Sequence, residues 1–338
     1  MAARLNRQVR LKARPTGIPQ AEHFEIVETS VPELAERQFL VRNEYLSVEP
    51  AMRGWVSAVA NYATPVGIGE VMRSFAAGTV IASRHPGYSE GDKVMGMLGW
   101  QQFAISDGAS ITRKVKETDL PLSLSLGILG LNGVTAYIGL LDLGAPRPGD
   151  TVVVSTAAGA VGSAVGQIAK LVGCRTVGIT GGPTKIKLCR DEFGYDEAID
   201  YKADNLSTAL AAACPHGVDV YFDNTAGDIS DTVYAQLAIG ARIVVCGTAS
   251  ISSWDPPPQG PRIERYLLVK RARMSGLLIF DYAHRFEEAI ARLASWVRDG
   301  RLRYREDIDE GLEHCPGAIA ELYRGENLGK RLIHLSID

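Results

Sequence analysis

Three small residues at a fixed spacing, Ala157, Gly159 and Gly162, form the part of the sequence best suited to binding a ligand. They follow an apolar, β-branched run, and a helical pattern begins directly after them. Their spacing is that of a G-x-G-x-x-G fingerprint with its first glycine replaced, in a strand–turn–helix context. Gly159 would let the backbone approach a pyrophosphate, and Gly162 would let the helix pack against the strand. Because the first N–H groups of a helix bind phosphate, we predict a dinucleotide site here that includes Ala160 and Val161.

The residues after the second predicted strand indicate which dinucleotide would bind. Proteins that prefer NAD usually place an Asp or Glu about 20 residues beyond the fingerprint, where it binds the ribose 2′-hydroxyl. Here the segment from 180 has no acidic residue until Asp191, and it contains Lys185 and Lys187. An uncharged turn followed by a lysine would accept a 2′-phosphate; the alternative is that the lysines are ordinary solvated helix residues. We predict NADPH rather than NADH, with Lys185 at the phosphate and Lys187 in solvent.

Alternating patterns around the fingerprint predict the fold that would position it. Strand patterns recur along 152–280, and helical patterns separate most of them. Such alternation is typical of a parallel, doubly wound sheet with helices on both faces. The predicted strands after the fingerprint are 176–180, 197–201, 218–224, 241–247 and 274–280, and the helices between them include 184–193, 205–213 and 228–239.

The first 125 or so residues have a different texture, with short strands separated by Gly and Pro. Many short strands with frequent turns are typical of a β-rich, barrel-like domain. A last strand pattern at 328–335 has no partner in the doubly wound sheet and is expected to return to the first domain. We predict domains at 1–127 with 303–338 and at 128–302; the N-terminal strands are 8–13, 24–29, 39–47, 78–83, 93–97 and 102–105.

Composition excludes several classes of partner. The net charge is −3, and no basic stripe with interleaved aromatic residues is visible, which argues against nucleic-acid binding. The five cysteines are scattered and form no C-x-x-C pair, which argues against a disulfide framework and favours a reducing cytoplasm. Neither a signal-peptide core nor an uncharged apolar run of membrane length is found. We expect a cytoplasmic protein that acts on a small molecule.

Short motifs, in order across nearly the whole chain, resemble one enzyme family. They include Tyr45-Leu-Ser-Val-Glu-Pro, Gly133-Val-Thr-Ala-Tyr, Tyr221-Phe-Asp-Asn and Gly325-Glu-Asn-Leu-Gly-Lys. With these motifs the chain resembles the zinc-independent medium-chain dehydrogenases/reductases, in the branch of leukotriene B4 12-hydroxydehydrogenase/prostaglandin reductases, alkenal double-bond reductases and curcumin reductases. The resemblance implies an α/β chain with a GroES-like β-rich catalytic domain, a Rossmann doubly wound parallel-sheet domain, and a homodimer formed through the Rossmann domains.

The resemblance also implies which residues contact NADPH. Lys185 and Tyr201 would lie at the 2′-phosphate, and Asn327 would lie near the nicotinamide-side phosphate. Each has a plainer alternative: Tyr201 as a strand-end residue, Asn224 as a partner of loop backbone groups, and Asn327 as a turn residue. The implied contacts beyond the fingerprint are Lys185, Tyr201, Asn224, Cys246, Gly247, Thr248, Ser252, Leu277, Leu278, Ile279 and Asn327. Thr135 is a further candidate, which would hold either the nicotinamide or the substrate carbonyl.

Metal ligands are missing from the sequence of the predicted catalytic domain. No cysteine precedes Cys174, and the histidines of this N-terminal part are His23 and His85. Zinc needs three or four converging N, S or O ligands, and no such set is visible. We therefore expect no metal. A hydrogen-bond donor must then stabilise the negative charge that develops on the substrate during the reaction.

Tyr62 is the candidate for that donor. It lies in a loop expected beside the cleft and matches a tyrosine of the curcumin-reductase-like members. A phenol is protonated at pH 7 and suits donation to a developing enolate. Two alternatives stay open. One is that Tyr62 only packs in the fold, and the other is that a ribose hydroxyl of the cofactor is the donor.

Together these features predict NADPH-dependent reduction of the C=C bond of α,β-unsaturated aldehydes and ketones. Hydride would pass from C4 of the nicotinamide to the β-carbon, followed by protonation of the enolate. The sequence departs from the family at Ala51, where a tyrosine is frequent, and at Ser252, where the prostaglandin reductases have a tyrosine. Two alternatives stay open: a quinone oxidoreductase and a non-catalytic NADPH-binding protein.

Overall fold

The computed structural model describes residues 4–58, 63–251, 256 and 258–336. The chain forms two compact units, the discontinuous unit (Met1–Gly127 and Glu306–Asp338) and the central unit (Ile128–Arg305). Each unit has a main sheet of its own. Every helix within the described ranges is too short or too polar to span the hydrocarbon core of a membrane.

The strands are numbered along the chain. They are β1 (Leu5–Leu11), β2 (Phe24–Ser30), β3 (Phe39–Ser47), β4 (Phe75–Ser83), β5 (Lys93–Met97), β6 (Phe103–Ser106), β7 (Ile111–Lys114), β8 (Thr151–Ser155), β9 (Arg175–Thr180), β10 (Glu197–Asp200), β11 (Val218–Asp223), β12 (Leu237–Val245), β13 (Arg273–Gly276), β14 (Glu306–Glu310) and β15 (Lys330–His334).

The helices are numbered in the same way. They are α1 (Met52–Trp55), α2 (Leu131–Ile138), α3 (Ala160–Val172), α4 (Pro183–Lys187), α5 (Leu206–Ala213), α6 (Gly227–Tyr234), α7 (Glu264–Lys270), α8 (Phe286–Arg298) and α9 (Cys315–Arg324). Helices α2 and α4 continue directly into π-helical turns at Gly139–Gly144 and Leu188–Glu192.

The central unit is a parallel sheet in the order β10-β9-β8-β11-β12-β13. Numbered within the unit, this is the 3-2-1-4-5-6 order of a doubly wound dinucleotide-binding fold. All five residues of β8 are buried, as expected for a strand covered on both faces. The α/β fold class predicted from the sequence is confirmed.

The discontinuous unit contains a β-rich sheet in the order β14-β15-β3-β4-β5-β7, with β6 also paired to β3. Strands β1 and β2 form a separate antiparallel pair. Strand β15 pairs antiparallel with β3, from Leu332 opposite Ser47 to His334 opposite Tyr45. The last strand therefore returns to the N-terminal sheet, as its sequence predicts.

Several predicted boundaries differ from those of the structure, and two predicted elements change type before their predicted end. The helix predicted at 228–239 ends at Tyr234, and Leu237 already begins β12. The sequence Ala-Ile-Gly-Ala at 238–241 has no pattern that separates helix from strand, and the pairing with β11 decides. The strand predicted at 274–280 ends at Gly276, and Ile279–Arg285 forms a 3-10 helix that begins with a turn from Asp281 N–H to Leu278 C=O. Strand β7 was not predicted, since Ile-Thr-Arg-Lys offers only one apolar residue.

Candidate functional site

The turn between β8 and α3 has the close approach that the fingerprint predicts. Thr156 has φ +54°, and Gly159 precedes α3 in an extended conformation without a side-chain cap. A Cβ on Gly162 would lie 2.9 Å from Cα of Ala157 and closer still to the carbonyl oxygen of Thr156. Helix α3 therefore lies against the turn, and its first N–H groups have no side chain capping them.

Ala157 replaces the first glycine of the fingerprint without disturbing this turn. Its side chain is fully buried, and its N–H donates to the carbonyl oxygen of Ile179 on β9 at 3.1 Å. Space for its methyl group comes from Gly178, where a Cβ would lie 2.7 Å from that of Ala157. The substitution of the first glycine is thus matched by a glycine on the neighbouring strand.

The carboxyl ends of β8 and β11 meet at the point where the strand order reverses, which is where ligands bind in such sheets. Asn224 bridges the two ends: its side-chain amide donates to the carbonyl oxygen of Ser155 at 2.7 Å, and its backbone N–H donates to Ser155 Oγ at 2.8 Å. These contacts match the alternative interpretation of Asn224, in which its side chain serves as a hydrogen-bond partner of loop backbone groups. A direct contact of Asn224 with a cofactor stays a prediction.

The buried carboxylate of Asp223 organises the loop that carries Asn224. Asp223 accepts hydrogen bonds from the backbone N–H groups of Thr225 and Ala226 at 2.9 and 2.8 Å, and from Ser230 Oγ at 2.7 Å. Asp223 was not predicted from the sequence, although an Asp that ends an apolar strand directly before Asn224 is a usable signal. These hydrogen bonds hold the polar loop after β11 in place at the end of a buried strand.

The Asp223 backbone also brings the end of β12 to this point. Its carbonyl oxygen accepts from the N–H groups of Cys246 at 2.8 Å and Gly247 at 3.1 Å. Burial, and then the Asp223 carboxylate, raise the pKa of the Cys246 thiol to about 12. Cys246 is therefore a neutral thiol at pH 7, and its backbone is what it can offer a ligand.

The ends of β9 and β10 form the region predicted to receive the 2′-phosphate. A Cβ on Gly181 would lie 3.0 Å from Cε1 of Tyr201 and 2.9 Å from Cε of Lys202, so both side chains lie across Gly181. Tyr201 is 41% exposed, and its backbone N–H donates to the carbonyl oxygen of Thr180 at 3.1 Å. Lys202 is a second cation in this region and was not predicted from the sequence.

Lys185 lies in α4, which begins two residues after Gly181. It is half-buried, and its charge opposes the rise that burial imposes on the pKa of Cys189, which reaches about 12. Lys187, in the same helix, is exposed.

The other predicted contacts of the central unit are also located. Thr135 is buried in α2. Leu277 and Leu278 follow β13, and the Leu277 N–H donates to the carbonyl oxygen of Val245 at 2.9 Å, which places this segment beside the end of β12. Ile279 is buried at the start of the 3-10 helix. Thr248 lies in the loop after β12 and accepts the N–H of Ile251 at 3.0 Å.

Asn327 belongs to the discontinuous unit, in the turn between α9 and β15. It is 9% exposed, and its side-chain amide donates to the carbonyl oxygen of Gly329 at 2.8 Å. The contact is that of a turn residue, and its role toward a phosphate stays a prediction.

Tyr62 and Ser252 lie outside the described residues. No three His, Cys, Asp or Glu side chains in the described part of the chain are grouped to hold a metal ion.

Two family models match the chain. One, described as the N-terminal domain of oxidoreductase, covers residues 7–114. The other, described as zinc-binding dehydrogenase, covers residues 160–295 and so includes the region of the fingerprint helix.

The chain is similar to several characterised proteins over nearly its full length. It is 41% identical over 338 residues to the NADPH-dependent curcumin reductase of Escherichia coli, covering 98% of each chain. It is 37% identical over 337 residues to the NADP(+)-dependent 2-alkenal reductase of Nicotiana tabacum, again covering 98% of each. The crystal structure of CurA from Vibrio vulnificus in complex with NADPH superposes with a TM-score of 0.91 at 42% identity, over 98% of this chain and 100% of that one.

Proposed function

This oxidoreductase belongs to the zinc-independent medium-chain dehydrogenases/reductases, and we propose that it reduces the C=C bond of α,β-unsaturated aldehydes and ketones with NADPH. The observation that carries the proposal is its near full-length similarity to a 2-alkenal reductase and a curcumin reductase. A 2-alkenal is an aldehyde whose carbonyl group is conjugated with a C=C bond.

NADPH fits the described residues of the central unit. The first turn of α3 has no side-chain cap and so would receive a pyrophosphate, and the strand order favours a cofactor site at the ends of β8 and β11. Lys185 and Tyr201 would hold the 2′-phosphate, which is where we also place Lys202. We accordingly assign 128–302 as the NADPH-binding domain, and 1–127 with 303–338 as the catalytic domain.

The work left to the protein is orientation and charge stabilisation. When bound, NADPH supplies the hydride that adds to the β-carbon of the substrate. An enone is already electrophilic at that carbon, so the protein has to hold the alkene in place and stabilise the negative charge that develops on the carbonyl oxygen. We assign the hydrogen-bond or proton donor to Tyr62, on the basis of the family resemblance.

The remaining assignments concern the whole molecule. We propose a homodimer formed through the central unit, as the family resemblance implies. A cytoplasmic location is supported by the cysteines, since Cys174, Cys189, Cys214, Cys246 and Cys315 are all free thiols.

The experiment that tests the proposed function follows the absorbance of NADPH, with NADH in parallel, against a panel of acceptors. The panel contains a medium-chain 2-alkenal, a β-aryl enone, a 15-keto-prostanoid-like enone, a quinone and a saturated ketone. We expect consumption of NADPH with the enones and none with the ketone. Turnover on the quinone alone would favour a quinone oxidoreductase, and binding of NADPH without any turnover would favour a non-catalytic protein.

The role of Tyr62 has its own test. Tyr62→Phe removes only the phenolic hydroxyl, so enone reduction is expected to slow by about 100-fold if that hydroxyl is the donor. Tyr304→Phe, at an exposed position of the central unit, serves as the control. Unchanged enone turnover in Tyr62→Phe would move the donor to the ribose hydroxyl of the cofactor.

A further inference from the structure

A buried ion pair in the discontinuous unit joins two segments that are far apart in sequence. Lys330, the first residue of β15, is 4% exposed, and its Nζ lies 2.7 Å from Oε1 of Glu49. The same Nζ donates to Ser47 Oγ at 2.6 Å and to the carbonyl oxygen of Val48 at 3.1 Å. All three protons of the ammonium group thus have an acceptor on the segment 47–49.

The acceptors are themselves held in place. Ser47 Oγ donates to Glu49 Oε1 at 2.7 Å, which closes a triangle between the serine, the glutamate and the lysine. A second carboxylate, Glu306, lies opposite Lys330 in the register of β14 and β15 and accepts from Ser123 Oγ at 2.8 Å. Burial raises the pKa of Glu306 and the nearby charge of Lys330 opposes that rise, whereas Glu49 is the carboxylate in direct contact with Nζ of Lys330.

Two further contacts connect the same parts of the chain. The hydroxyl group of Tyr323, near the end of α9, donates to the carbonyl oxygen of Pro50 at 2.9 Å. The guanidinium carbon of Arg53, in α1, lies 4.7 Å from the centre of the Tyr323 ring. The segment 47–53 is therefore bound on both sides of the turn that carries Asn327, at Tyr323 before it and at Lys330 after it.

Such a pair is poorly explained by stability alone. Moving two charges out of water is unfavourable, and buried ion pairs can often be replaced by apolar residues without loss of stability. What an ammonium with three directed acceptors does provide is a fixed geometry. The turn at 327–329 leads directly into Lys330, so fixing Nζ fixes the position of this turn on the sheet.

We propose that Lys330 is a positioning residue for cofactor binding, which acts with Glu49 and Ser47 to hold the Asn327 turn in register with the segment 47–53. The proposal rests on the proposed function, because it takes Asn327 as a contact of the nicotinamide-side phosphate. Lys330 itself touches no substrate or cofactor in this account. Its effect passes through the backbone of 327–329.

The test compares NADPH affinity with stability in a set of variants. Lys330→Met removes the charge and is expected to raise the Kd for NADPH about ten-fold, because small displacements of positioning groups have large effects, and to lower Tm. Lys330→Met combined with Glu49→Leu replaces the pair by apolar side chains, so we expect Tm to recover while the Kd stays raised. Lys93→Met is the matched control, since it breaks the partly exposed Lys93–Glu44 pair of the same sheet.

The outcomes separate positioning from stabilisation. A Kd that returns to the wild-type value together with Tm in the double variant would overturn the proposal, and so would a wild-type Kd in Lys330→Met. Ser47→Ala, which removes a single acceptor, is expected to raise the Kd by a smaller factor, so the proposal stays testable if Lys330→Met does not fold. A wild-type protein that binds NADPH but reduces no enone would contradict the proposed function and leave this comparison of Kd values intact.

Discussion

The two units hold their functional segments in different ways. In the central unit the ends of β8 and β9 are shaped by missing side chains, at Gly162 against the turn and at Gly181 beneath Tyr201 and Lys202. In the discontinuous unit the segments are held by side chains that are present, foremost the buried pair of Lys330 and Glu49. A site of the first kind is damaged by adding atoms, and one of the second kind by removing them.

The largest effect is expected where an atom is added in the central unit. Gly162→Ala places a Cβ 2.9 Å from a backbone carbon and closer still to a carbonyl oxygen, so α3 has to move away from the turn. We expect a loss of about 3 kcal/mol in the free energy of unfolding and a rise of about 100-fold in the Kd for NADPH. Urea denaturation and fluorescence titration measure the two quantities.

Gly276→Ala is the control for that change, because a Cβ there has no atom within 4 Å and the strand conformation is ordinary. Equal free energies of unfolding for Gly162→Ala and Gly276→Ala would contradict the claim that missing side chains shape the central unit.

The second prediction concerns Asp223. At this position the central unit, like the discontinuous unit, is held by a side chain that is present. Asp223→Asn keeps the shape but replaces Oδ2, which accepts from Ser230 Oγ, by an NH2 group, and it leaves a neutral oxygen in place of the carboxylate that accepts from the N–H groups of Thr225 and Ala226. We expect a loss of about 2 kcal/mol in the free energy of unfolding. Asp228→Asn, four residues after Asn224 and exposed, is the control. Equal stability of the two variants would show that the carboxylate is not what holds the loop.

The third prediction sharpens the assignment of the 2′-phosphate region. Lys185→Ala is expected to raise the Kd for NADPH about ten-fold and to leave that for NADH unchanged, because a charge-assisted hydrogen bond is lost only with the phosphorylated cofactor. Lys202→Ala is expected to act in the same direction with a smaller factor. Lys187→Ala is the control in the same helix, and an equal effect there would mean that general charge, not a specific contact, sets the preference.

The smallest effect is expected from the thiols. Burial raises the pKa of Cys189 to about 12 and that of Cys214 to about 11, both above the value of an exposed thiol. The unfolded chain loses these protons first, so the free energy of unfolding falls as pH rises through the range from about 9 to about 11. Urea denaturation at pH 8, 9 and 10 measures this slope, and Cys189→Ala is expected to reduce it. A slope that is the same in both proteins would contradict the assignment.

What could be predicted from the sequence follows the same division. The glycine spacing at 159–162 and the alternation of strand and helix patterns after it are local signals, and so the doubly wound sheet could be predicted. The absence of an acid before Asp191 is a local signal too, and the cofactor contacts that it indicates stay predictions. The contact between Glu49 and Lys330 spans 281 positions, and no local pattern reports which buried lysine meets which carboxylate. Lys202 and Asp223 were missed for a related reason, since only the packed ends of the strands show what they approach.

The central claim is that hydride adds to the β-carbon of an enone. The most direct measurement incubates the protein with a 2-alkenal and NADPH that carries deuterium at C4 of the nicotinamide, and locates the label in the product by mass spectrometry and NMR. The account predicts a saturated aldehyde with deuterium at the β-carbon. An allylic alcohol with deuterium on the former carbonyl carbon would contradict it.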